Sequence, residues 1–174
     1  MKTLFFCLLL SSSFALAEVV ILHEDKEDLN KDGKKDSIAW VASSKDAQRP
    51  SRLVIRTTGK TLLDLKGNFC KPMEKAEDCT DLTVVKRLSP RKEPLLVFTS
   101  GPSVWTYRWQ KGNYTLYRAS WSGEGEKHEI NYETGRALVT SSKATHPCPL
   151  KNTRAQEDLA SFNLFPIKDE AACQ

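Results

Sequence analysis

Between residue 18 and about residue 145, short apolar runs alternate with turn residues at the intervals of an antiparallel sheet. Val19, Val20, Ile21 and Leu22 precede a polar loop, and Ser37, Ile38, Ala39, Trp40, Val41 and Ala42 follow it. Leu53, Val54 and Ile55 are separated from Leu62, Leu63 and Leu65 by Thr58, Gly59 and Lys60, which suits a hairpin. Leu82 to Val85 and Leu95 to Phe98 are apolar or β-branched on both faces, the pattern of central strands covered on both sides. From 104 to 109 the alternation places Trp105, Tyr107 and Trp109 on one face; from 114 to 121 it places Tyr117, Ala119 and Trp121 together. Residues 127–132 alternate again, and Gly135 falls where a bulged hairpin needs a left-handed residue before Ala137, Leu138 and Val139.

The tail is less regular. Residues 154–162 read as one short helix and 162–167 as an edge segment, where Pro166 is tolerated. No linker or repeat divides the chain. The expected fold is therefore mainly β: a single antiparallel β domain over 18–174, a sandwich or an open barrel-like meander, with a short C-terminal helix or irregular tail.

The first seventeen residues change the compositional picture. Lys2, the apolar run from Leu4 to Leu10 and the Ala15-Leu16-Ala17 site read as a secretory signal peptide, with the mature protein beginning at Glu18. That run is shorter than the ~20 apolar residues of a membrane span, and no later segment approaches this length. A net charge of +4 on 174 residues, scattered along the chain, gives no footprint for nucleic acid. A periplasmic or secreted location is the consequence. It makes the remaining cysteines, Cys70, Cys79, Cys148 and Cys173, two expected disulfides. Three pairings are open; a local bridge from Cys70 to Cys79 leaves Cys148 to fasten the tail through Cys173. A zinc site of four thiolates is the rival, but tight C-x2-C pairs are absent.

The sharpest chemical signal lies between the first two strands. Counting from Asp28, oxygen-bearing side chains occupy positions 1, 3, 5 and 9 (Asp28, Asn30, Asp32, Asp36), and Gly33 occupies position 6. A hard cation such as Ca2+ takes six to eight oxygens, so these side chains with the Lys34 carbonyl form a candidate ligand set, and Gly33 permits the sharp turn. An EF-hand would carry an acid at position 12, where this chain has Ala39. The loop resembles instead the calcium loop of FG-GAP and VCBS-type extracellular β repeats, D-x-(D/N)-x-D-G-x-x-D followed by a strand. The resemblance implies a structural ion between two antiparallel strands, with an affinity of ~10⁻⁴–10⁻³ M expected of extracellular modules. The simpler alternative is a solvated acidic turn without an ion. Only one such loop is present, whereas a propeller needs several blades.

Three distal segments, Ser103 to Trp109, Gly112 to Leu116 and Ile130 to Arg136, resemble a group of small bacterial exported proteins in which such a loop is followed by an aromatic strand, a G-x-(Y/W)-x-L hairpin and an N-Y-x-T-G-(K/R) turn. This likeness implies an envelope setting and a β fold, and transfers no catalytic residue. The Trp105, Tyr107 and Trp109 face is either core or, if exposed, a stacking platform for a glycan or a protein partner; a small β domain needs such residues inside. Glu126 and His128 share a strand face, but neither H-E-x-x-H nor a G-x-S-x-G elbow accompanies them. The expected function is a non-catalytic, Ca2+-stabilised binding module with a protein partner in the envelope, in its most specific form an inhibitor or immunity protein. A hydrolase of envelope polysaccharide or peptidoglycan, or a glycan-binding protein, is the alternative.

Overall fold

The computed structural model describes residues 19–43, 49–70, 79–150, 157–164 and 167. Its strands form two antiparallel meanders in chain order. The first is β1 (Val19–Glu27), β2 (Asp36–Ser43), β3 (Arg52–Thr57) and β4 (Lys60–Lys66). The second is β5 (Thr83–Leu88), β6 (Pro94–Ser100), β7 (Ser103–Gln110), β8 (Asn113–Gly123), β9 (Glu126–Asn131), β10 (Arg136–Ser141) and β11 (Thr145–Pro149). Tight turns account for this local order. At the β7–β8 turn, Lys111 (φ 51°) and Gly112 (φ 83°) both adopt left-handed backbone, the conformation a two-residue hairpin requires. Gly135 is likewise left-handed, at φ 66°, as its position in the sequence demands.

Both sheets contribute to one core. Ile38, Trp40, Leu53, Ile55, Leu62 and Leu63 come from the four-stranded sheet, and Leu96, Phe98, Trp105, Tyr107, Leu116, Ile130 and Ala137 from the seven-stranded sheet. The result is an open two-sheet sandwich, not a closed barrel. Trp105 and Tyr107 are fully enclosed and Trp109 packs against the same core, so the aromatic face of β7 is interior and offers no platform.

The tail completes the core. Of the expected 154–162 helix, residues 154–156 lie outside the described region, and the rest holds one 3-10 turn, Leu159–Ser161. Of the expected 162–167 edge segment, residues 165 and 166, with Pro166, lie outside the described region; Phe162 and Ile167 are buried, and Phe162 sits 4.5 Å from the Phe98 ring and 5.7 and 5.8 Å from Trp105 and Tyr107. Apolar burial outweighs strand pairing here. β9 pairs with β8 only from Arg118 onward, and the first half of β8 instead meets the tail, where the Leu116 N–H donates to the Glu157 carbonyl (2.9 Å).

Two further expectations are corrected. β5 is an edge strand with Val85 42% exposed, whereas in β6 beside it Leu96 and Phe98 point inward and Val97 on the opposite face is buried as well. The apolar residues on both faces of β5 therefore reflect a semi-apolar outer surface rather than a second covering layer. In β8, Tyr117 does not share a face with Ala119 and Trp121. Thr106 pairs with Arg118 but Tyr107 pairs with Leu116, so Tyr117 is the extra residue of a β-bulge. The bulge shifts the alternation by one position, leaving Tyr114, Leu116 and Ala119 buried and Tyr117 turned outward.

The expected Cys70–Cys79 disulfide is present, with its Cα atoms 5.1 Å apart. Cys148 is also disulfide-bonded, while its expected partner Cys173 lies outside the described residues. Among the described residues no helix is long and apolar enough to cross a membrane.

Candidate metal loop and outer sheet face

The 28–36 loop folds as a chain of side-chain-to-backbone turns. Asp28 accepts the Asp32 N–H (3.1 Å) and the Gly33 N–H (3.0 Å) on its two carboxylate oxygens. Asn30 Oδ1 accepts the Asp32 N–H (3.0 Å), and Asp32 Oδ1 accepts the Lys34 N–H (2.8 Å). Lys31 (φ 64°) and Gly33 (φ 81°) supply the left-handed backbone that curls the segment. Desolvation pushes the Asp28 carboxyl up, but the N–H groups of Gly33, Lys31 and Asp32 and the Lys86 charge outweigh it and hold the group below its ordinary value.

Asp36 does something different. It is buried, and its Oδ2 accepts the Leu29 N–H (2.9 Å) while Oδ1 accepts the Thr58 N–H (3.1 Å). It thereby fastens the loop to the β3–β4 turn. Leu29, fully buried, inserts into the core, and its carbonyl accepts the Tyr114 hydroxyl from β8. Burial, with the nearby Asp36, Asp28 and Glu27 carboxylates, pushes the Tyr114 phenol well above its ordinary pKa, so it remains a neutral donor. Lys86 of β5 donates to the Asp28 carbonyl, and Lys31 donates to the Lys92 carbonyl in the β5–β6 turn. The loop thus joins the two sheets.

The donor chemistry of Asp28, Asn30 and Asp32 fits a hard cation: every donor is oxygen, and each oxygen that accepts one hydrogen bond retains a lone pair. Asp36 is instead taken up by the fold. Among the described residues no three Asp, Glu, His or Cys side chains converge on one point.

The second notable region lies on the outer face of β7 and β8. On the solvent side of the seven-stranded sheet, the bulge sets the Tyr117 ring between two guanidinium groups, Arg108 at 4.4 Å and Arg118 at 4.7 Å from its centroid. Arg108 is tied to Glu133 (2.9 Å), with Glu93 3.9 Å away, and the Glu133 hydrogen bond raises its pKa further. Neither Arg118 nor Arg136 is paired with a carboxylate among the described residues. The sequence did carry a sign of this arrangement: Tyr114 and Leu116 are out of phase with Ala119 and Trp121 by one residue, the mark of an inserted position.

Two open clefts of about 520 and 500 Å³ lie on either side of Thr106 and Arg118, which line both. Glu126 and His128 line neither; their side chains meet at 3.3 Å beyond the clefts, with the His128 ring against Trp121. The fold and these two regions define an open antiparallel β-sandwich with a cross-braced acidic loop and a cationic outer face. Comparison with known proteins finds no match to this chain among protein-family models, curated proteins or solved structures.

Proposed function

We propose that this protein is an exported, non-catalytic binding module of the bacterial envelope, working in the periplasm or outside the cell by holding a protein partner. In its most specific form it is an inhibitor or immunity protein for an envelope-targeting enzyme. The observation that carries this reading is the outer face of the seven-stranded sheet. It combines open clefts, outward apolar side chains and an aromatic residue stacked with arginines, a combination typical of interface surfaces. The disulfides accord with export.

Ca2+ is the proposed structural ion of the 28–36 loop, held by Asp28, Asn30 and Asp32 with the Lys34 carbonyl, while Asp36 positions the loop from beneath. Bound there, it would neutralise carboxylate charge and stiffen the link between β1 and β2. Calorimetric titration tests it: heat of binding with a calcium-dependent rise in melting temperature supports the ion, and neither effect means that the loop is closed by hydrogen bonds alone.

Partner capture from envelope extract, followed by reconstitution from purified components, tests the module. A stoichiometric complex supports it. The alternative, a hydrolase of peptidoglycan or envelope polysaccharide, draws on the 3.3 Å contact between Glu126 and His128; turnover lost on Glu126→Ala would establish it and displace the binding reading.

A further inference from the structure

The antiparallel register arranges the outer face in rows that cross the strands. One row runs Val85, Val97, Thr106, Arg118, Asn131, Arg136, each residue paired with the next. A neighbouring row runs Ser120, Glu129, Leu138, Pro147. Arg118 therefore stands on a ridge between two pockets, with Leu95, Val97 and Val104 on one side and Leu138 and Pro147 on the other. The clefts are lined by five arginines (87, 91, 108, 118, 136) against three glutamates (93, 129, 133), so the face carries net positive charge.

A free arginine on a surface sweeps a large volume, and fixing it on a ligand costs side-chain entropy. Here the Tyr117 ring stacks on Arg118 while leaving its donors unpaired with any described carboxylate, and the ring is itself buttressed by Arg108, which Glu133 holds. A guanidinium so placed presents a planar fork matched to a carboxylate. The walls decide which anion. Apolar surface on both sides of the charge suits a peptide in which Asp or Glu is flanked by apolar side chains, whereas a polysaccharide would set hydroxyl groups against Leu138, Leu95 and Val97 without partners.

Resting on the binding-module reading, we infer that the outer face of the seven-stranded sheet receives an extended acidic segment of a partner protein, its carboxylate on Arg118 and Arg136 and its apolar side chains in the clefts on either side. From β6 to β10 is four strand spacings, about 20 Å, the reach of roughly six extended residues. The arginine–tyrosine stack acts as a pre-arranged anchor, and the bulge is the device that builds it.

The test uses a synthetic hexapeptide with two adjacent aspartates between leucines, and its asparagine counterpart, each titrated to ~1 mM into the isotopically labelled protein. The acidic peptide should move the amide signals of Thr106, Arg118, Asn131 and Arg136, and the asparagine peptide should not. Arg118→Glu should weaken binding at least about tenfold with an unchanged melting temperature, and Tyr117→Ala should do so to a smaller extent. Absence of shifts, equal binding of both peptides, shifts mapping elsewhere, or preferential binding of a sulfated polysaccharide would each overturn the inference. A partner reconstituted with undiminished affinity on the Arg118→Glu protein would overturn it too, while leaving the module intact; only absence of any partner removes both.

Discussion

The acidic loop and the arginine–tyrosine stack each concentrate charge of one sign, and the structure treats them in opposite ways. In the loop, carboxylates turn inward onto backbone N–H groups, and Asp36 is buried between the Leu29 and Thr58 amides. On the sheet, the exposed Arg118 rests over the Tyr117 ring and is paired with no carboxylate among the described residues. The Asp36 charge is consumed in folding; the Arg118 charge is scaffolded and left available. Density of charged residues in the sequence therefore says little about where a surface is functional. What matters is whether backbone donors lie close enough to occupy the charged atoms.

This contrast can be broken at several points. The largest effect is expected at Asp36→Ala, which strands two N–H donors under the loop and should cost about 3 kcal/mol in urea unfolding; a loss below about 1 kcal/mol would mean that the carboxylate is not consumed by the fold. Next comes calcium. At ~10 mM Ca2+ and the affinity expected of extracellular modules, the ion should add about 2 kcal/mol to stability, and chelation should remove it. Tyr114→Phe, which deletes the hydroxyl bonded to Leu29, should cost about 1 kcal/mol. Arg118→Ala should change stability by less than about 0.5 kcal/mol, the value expected when a side chain serves a ligand rather than the fold.

The smallest effect is a pH dependence that both regions share. The Glu133 carboxyl is held below its ordinary value by Arg108, and Asp28 by its N–H donors, which outweigh desolvation. Asp64 on the first sheet is lowered by its hydrogen bond to Arg52, which outweighs desolvation. Depressed carboxyls stabilise the fold above the ordinary carboxylate range, and that contribution disappears as pH falls through their folded-state values. Acid titration of the melting temperature should therefore show a decline that begins near the ordinary range and continues below it, and Asp64→Asn should flatten the part due to Arg52.

Much of this architecture was legible in the sequence. Alternation and turn residues located the hairpins of both meanders, and compartment reasoning placed a disulfide between Cys70 and Cys79. Spacing also brought Asp28, Asn30, Asp32 and Asp36 into one loop, but it could not distinguish their fates. Whether Asp36 faces the loop centre or the Thr58 amide depends on the β3–β4 turn, 22 residues away in the chain. The Tyr117 stack is not legible from a strict two-residue period, which tolerates no insertion: the bulge turns Tyr117 away from the face that Ala119 and Trp121 share. In β5 an apolar pattern on both faces does not reveal whether the second face meets protein or solvent.

Phe162 has a consequence for the order in which the molecule is made. Its ring fills the space between Phe98, Trp105 and Tyr107, yet it follows all eleven of the described strands in the chain. A chain still emerging from a ribosome can pair its hairpins one by one, but three aromatic rings lack this cover until residue 162 arrives. Covering of this part of the core thus waits for residue 162, and a message truncated just before codon 162 would yield a product holding every described strand with an unsealed interior, a substrate for proteolysis.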